Sequence, residues 1–208
     1  MAAWCYVRRK ANGWTIDLEK ERAEATRLAR KAARLDRNDP TAMCMGAYAQ
    51  AYIAHEFEDA VLAMELALAV NPSQAQAWSL SAWLRIWRGE PDIAFEHVAR
   101  AMRLSPIDPA MFGMQGAMAY AHFLTGDYES ASLWAERSMR EGPNFLLSMC
   151  NFAASNALAG RVEPSAIGRV LQRDPNLRLS NLRDLTPFRR PEDLDRFFKA
   201  LQKAGLPD

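Results

Sequence analysis

The stretch "AFEHVARAMRLSP", residues 94–106, sets Ala94, Val98, Ala101 and Pro106 at offsets of 4, 7 and 12. "AVLAMELALAVNP", residues 60–72, repeats those offsets with Ala60, Met64, Ala67 and Pro72. "ASLWAERSMREGP", residues 131–143, does so again with Ala131, Ala135, Ser138 and Pro143. Upstream, Ala25, Ala29 and Ala32 fit, with Arg37 where the proline would stand. The leading alanines at 25, 60, 94 and 131 are 35, 34 and 37 residues apart. Small residues one and two turns apart let a second helix approach closely, and the proline ends the helix that carries them.

Five residues ahead of two of these alanines stand Gly89 and Gly126, in "WRGEPDIA" and "LTGDYESA". Glycine tolerates the left-handed conformation of a helix C-cap. An apolar, small-residue-rich helix precedes each turn, as in "AWSLSAWLRIWRG". The charge-free run "PAMFGMQGAMAYAHFLTG", residues 109–126, approaches the length of a bilayer span. It recurs in phase with "PTAMCMGAYAQAYIAH" and "PNFLLSMCNFAASNALAG", so it reads as the inner layer of a repeat array, not as a membrane segment.

The period, the Gly turn and the Ala/Pro positions resemble the tetratricopeptide repeat, a helix–turn–helix unit of about 34 residues. Trp78, Ala82, Gly89, Ala94, Ala101 and Pro106 match it best. The next unit keeps Ala119, Gly126, Tyr128, Ala131 and Pro143 but has Gln115 at the Trp position. The preceding unit has Cys44 for Trp, Tyr48 for the small residue and His55 for Gly, which predicts a looser or rearranged helix contact. A fifth unit runs from Asn144 through Gly160 to Pro175, with Pro164 tolerable only in the first turn of its second helix. The first unit is truncated and, around Asn12-Gly13, carries an insertion of about ten residues.

The expected fold is therefore an all-α, right-handed superhelix. A repeat array of about five units covers 1–175, and a C-terminal extension covers 176–208. Pro191, Glu192 and Asp193 start a helix there, Leu194, Phe197, Phe198 and Leu201 form its apolar stripe, and Gly205 ends it. A solenoid needs such an atypical last element, so 191–204 is expected to be a cap, with a partner-docking helix as the alternative. Repeat packing is expected from Ala60, Ala67, Trp78, Gly89, Ala94, Ala101, Gly126 and Ala131.

"MAAWCYVRRKANGW", "RGEPDIAFEHVARAMRLSPIDPAMF" and "NLRDLTPFRRPEDLDRFFKALQKAGLPD" also resemble the C-terminal repeat region of bacterial, rhizobial-type class III adenylate/guanylate cyclase-like proteins. That resemblance implies a regulatory module behind a catalytic or DNA-binding domain, and the start at Met1 fits a fragment of such a protein. It carries over architecture and no activity, because this chain has no strand-rich segment to hold a cyclase's metal-binding aspartates.

Composition agrees with a folded, water-facing protein: 50% hydrophobic and 25% charged residues at a net charge of +1. That balance gives no field for nucleic acid, and the basic residues lack interleaved aromatics. Cys5, Cys44 and Cys150 form no CxxC, which suits a reducing, cytoplasmic setting. His55, His97 and His122 stand apart, with no zinc spacing, and no P-loop, GxGxxG or GxSxG occurs. The expectation is no enzyme activity, no cofactor and no metal.

In the repeat family the first helix of each unit lines a concave groove. Here those positions give Trp4, Tyr52, Trp83, Ile86, Trp87, Tyr120, Phe123 and Leu124. Met45 and Ala49 take two positions where chaperone-tail binders carry Lys and Asn, which disfavours that class of partner. So apolar a surface should be covered. Three covers are open: the chain itself, by tight curvature or by segment 176–190; a helix or peptide from another domain, subunit or protein; or a small apolar ligand. A protein or peptide partner is the leading expectation, a small-ligand sensor the alternative, and a homodimer is allowed.

Overall fold

The computed structural model describes residues 2–35, 39–161 and 163–208, with side chains throughout except 32–35. The inner helices are α1 (Ala2–Ala11), α3 (Pro40–Ala49), α5 (Ala75–Arg88), α7 (Met111–Thr125) and α9 (Leu146–Leu158). Each is followed by an outer partner: α2 (Leu18–Leu35), α4 (Phe57–Val70), α6 (Pro91–Leu104), α8 (Tyr128–Glu141) and α10 (Pro164–Arg173). The chain is an all-α superhelix of tetratricopeptide type, and no strand occurs among the described residues.

The recurring small residues sit at the helix contacts. Ala60, Ala67, Ala94, Ala101, Ala131 and Ala135 are all fully buried, as are Ala25 and, all but completely, Ala29. Ala32 and Arg37 lie outside the described side chains. Ser138 takes an alanine position because its hydroxyl is used: it donates to the Phe112 carbonyl at 2.6 Å and lies 2.7 Å from the Ser148 hydroxyl. Trp78 is half-buried, its Nε1 donating to the Pro72 carbonyl at 2.9 Å, with the Arg100 guanidinium 4.2 Å from its ring. Pro164 occupies the first turn of α10, where its missing N–H is no loss.

The second unit departs as its sequence predicts. α3 ends in a π-helical turn, Gln50–Ala54, and His55 takes the left-handed conformation at φ 61° where the other units use glycine. Gly126 and Gly89 hold the same conformation at 84° and 76°. A non-glycine residue there costs roughly 1–2 kcal/mol, offset here by packing: Tyr48, at the small-residue position, stacks on Tyr52 at 5.4 Å.

After α10 the chain turns through a 3-10 turn (Leu179–Asn181) and a short helix, α11 (Leu182–Leu185), into α12 (Pro191–Ala204). α12 does not simply cover an open end. It lies against the inner helix α9, its Phe197 reaches Phe123 of α7, and Arg189 just ahead of it bonds to α5. The two ends of the array also meet, with Arg173 Nε donating to the Asn12 carbonyl at 2.8 Å. Asp184 of α11 pairs with Arg22 of α2 at 2.5 Å. Curvature this tight leaves little room along the axis.

Candidate functional site

The eight residues predicted to line the groove come together, but not as an open surface. Tyr52, Ile86, Trp87, Tyr120 and Phe123 are fully buried, Trp83 and Leu124 nearly so, and only Trp4 is partly exposed. Their rings form a continuous spine. Trp4 meets Tyr48 at 6.0 Å, Tyr52 meets Trp87 at 6.3 Å, and Trp83 meets Trp87 at 5.2 Å and Tyr120 at 5.3 Å.

What covers one side of this spine is the C-terminal segment. Phe188 packs edge-on to Trp87 at 5.2 Å, and Phe197 packs on Phe123 at 5.2 Å and on Tyr120 at 5.5 Å. Backbone groups fix the segment in place: the Arg189 N–H donates to the Trp87 carbonyl at 2.7 Å, and Arg196 donates to the Leu124 carbonyl at 2.9 Å. Both carbonyls belong to the last turns of inner helices, whose orphan acceptors need partners. A Cβ on Gly89 would lie 2.1 Å from the Arg190 side chain and 2.8 Å from Asp193, so the turn glycine also admits the segment. Self-coverage, by tight curvature or by 176–190, is one of the three covers left open by the sequence; Phe188 falls in that segment, and α12 adds Phe197 from beyond it.

The segment stops short of the starts of α5, α7 and α9. There a cleft of about 320 Å³ remains, closed on its far side by α1. Its apolar walls are Trp4, Leu80, Trp83, Phe112, Phe145 and Leu147. Its polar groups are Arg8 of α1, Gln76 and Ser79 of α5, and Asp108 before α7. Arg8 lies 5.2 Å from the Phe112 ring centroid, linking α1 to α7 across the opening. Trp83 is oriented by its Nε1, which donates to the Gly113 carbonyl at 3.2 Å. Gly116 lets α9 approach α7, since a Cβ there would lie 2.9 Å from both Phe145 and Ser148. A Cβ on Gly113, by contrast, would meet no atom within 4 Å. Of the predicted groove residues, Trp4 and Trp83 line this cleft. The sequence reading missed Arg8, Gln76, Leu80, Asp108, Phe112 and Phe145, because first-helix register alone does not locate helix starts and the loops before them.

Ionisable groups inside the superhelix are shaped by burial. Lys10 is buried, donates to the Tyr52 carbonyl at 2.6 Å and stands 4.4 Å from the Tyr52 ring. Burial, and the Arg22 charge beside it, pull its ammonium down to about 7, against the pull of Asp184. His55 and His97 are each held neutral, down to about 4, first by burial and then by nearby cations. His97 Nδ1 lies 3.0 Å from the Ser81 hydroxyl. Burial raises the Cys44 thiol to about 12, far from the reactive thiolate. Among the described residues no group of three His, Cys, Asp or Glu could hold a metal ion, and no helix is long and apolar enough to cross a membrane.

No protein-family model matches the sequence, and no curated protein matches it significantly. Solved structures do match by shape. PilW, described as a widely conserved type IV pilus biogenesis factor, superimposes with a TM-score of 0.66 at 17% identity, over 97% of this chain and 89% of its own. A double mutant of MamA gives 0.52 at 15% identity, over 74% and 85%. YrrB, described as a tetratricopeptide-repeat protein with an unusual peptide-binding site, gives 0.51 at 16%, over 85% and 90%. The fold is the tetratricopeptide-repeat fold.

Proposed function

We propose that the protein is a non-catalytic interaction module that takes a short segment of a partner protein into the cleft between α1 and the starts of α5, α7 and α9. The observation that carries this is the cleft itself: about 320 Å³ of apolar, aromatic-walled space left on a concave face that the chain otherwise fills. That volume lies in the range of ligand pockets and holds one or two side chains, not a helix. Trp4, Trp83 and Phe112 provide rigid aromatic area of the kind enriched at interfaces, with Trp prominent among hot spots. That YrrB carries a peptide-binding site on this fold supports a peptide occupant.

The resemblance of the three quoted stretches to cyclase-like signalling proteins supports a finer reading. In it the module works in the cytoplasm as the regulatory region of such a protein, binding another of its domains or subunits. Cyclic-nucleotide production by a joined catalytic domain, with and without the module, tests that reading; equal output would remove it. The cleft is tested by Gly113→Leu, which adds a side chain to its wall without colliding at Cβ. Partner-segment binding, screened on extended twelve-residue peptides, should be lost while thermal unfolding stays near wild type. Unchanged binding would show that the occupant sits elsewhere.

A further inference from the structure

The charge at the cleft mouth says what the segment carries. Arg8 is half-buried and faces the aromatic wall at Phe112. Its neighbour in sequence, Arg9, has a carboxylate partner, Glu21 at 2.8 Å. Arg8 has no carboxylate among the described residues, although it is the guanidinium nearest the cleft's apolar wall. Partly dehydrated on a low-dielectric surface, such a cation binds an anion more strongly than an exposed one would. Asp108, which also lines the cleft, already accepts the Ala110 N–H at 2.8 Å, and its charge disfavours an anion near it. The cleft lining therefore carries one cationic and one anionic side chain.

We propose that the bound segment places an apolar side chain between Trp83, Phe112 and Phe145 and an adjoining carboxylate on Arg8. This rests on the cleft being the binding site. A peptide fits better than a fatty amphiphile because the side chains of Gln76 and Ser79 make no hydrogen bond among the described residues and stand on the wall ready for backbone amides. A hydrocarbon chain would cover them without satisfying them.

The test is an NMR titration of the intact chain with acetylated, amidated hexapeptides Ser-Gly-Phe-Glu-Gly-Ser and its Gln and Lys counterparts. A peptide ending in a free Phe carboxylate and the fatty anion decanoate complete the set. The Glu peptide should bind about tenfold more tightly than the Gln peptide, the effect of one charge-assisted contact at a half-buried site. Arg8→Gln should erase that difference, and Arg8→Glu should transfer the preference to Lys. Tighter binding of the free-carboxylate peptide would assign the anion to a chain end and tighter binding of the Glu peptide to a side chain; either supports the proposal. Equal binding of the Glu and Gln peptides, both abolished by Gly113→Leu, would overturn the carboxylate and keep the cleft. No peptide shift at the cleft would overturn both. Decanoate binding more tightly than every peptide would overturn the peptide.

Discussion

The two halves of the concave face are built from the same inner helices and end in opposite states. At the helix ends, Trp87, Tyr120 and Phe123 are sealed by Phe188 and Phe197. Towards the helix starts, Phe112 and Phe145, with Trp83 from the middle of α5, line a cleft. The first half shows that an aromatic concave surface need not mean an absent partner, because the chain supplies its own ligand. The second shows where that ligand runs out, and so where an external one fits.

The largest disturbance to this contrast is removal of the ligand. A chain ending at Asn181 should lose its cooperative thermal transition, and adding a peptide of residues 182–208 should restore it. Unaltered unfolding would mean that the sealed half does not need its seal. Next comes Phe197→Ala: Phe197 is fully buried, and truncating such a ring costs roughly 3–5 kcal/mol, read by urea denaturation. Gly89→Ala should cost roughly 1–3 kcal/mol, from left-handed strain and from the collision with Arg190 and Asp193. The same change at Gly126, where a Cβ meets nothing within 4 Å, should bring the strain alone.

A pH dependence tests the junction of α1 with the second unit. Lys10 ionises at about 7 when folded, against about 10.4 for an unperturbed lysine. Between those values the unfolded chain binds the extra proton. Stability should therefore rise with pH from about 7 to about 10 and be lost as pH falls back through 7. Lys10→Met should flatten that slope, and a slope unchanged by the substitution would assign it to other groups. His97 adds a separate window, with stability present above about 6.5 and lost as pH falls towards about 4.

Much of the architecture was legible because it is periodic. Ala94, Val98 and Ala101 recur at fixed offsets for a steric reason, and all three are fully buried. The exception was legible in part: Cys44, Tyr48 and His55 at the Trp, small and Gly positions pointed to a looser or rearranged helix contact, and a π-helical turn stands in that unit. The state of the groove was not. Trp87 and Phe123 read the same whether water, a partner or Phe188 and Phe197 face them, since nothing local connects residues more than seventy positions apart. The cleft was hidden for a related reason. Arg8 and Phe112 are brought 5.2 Å apart only by the curvature of two intervening units.

The C-terminal segment is a docked part of the concave face. Hydrogen exchange on the intact chain tests it residue by residue. The Arg189 amide, bonded to the Trp87 carbonyl at 2.7 Å, and the amides of α12 should exchange as slowly as those of α7. Exchange across 189–204 as fast as in the isolated peptide would contradict it.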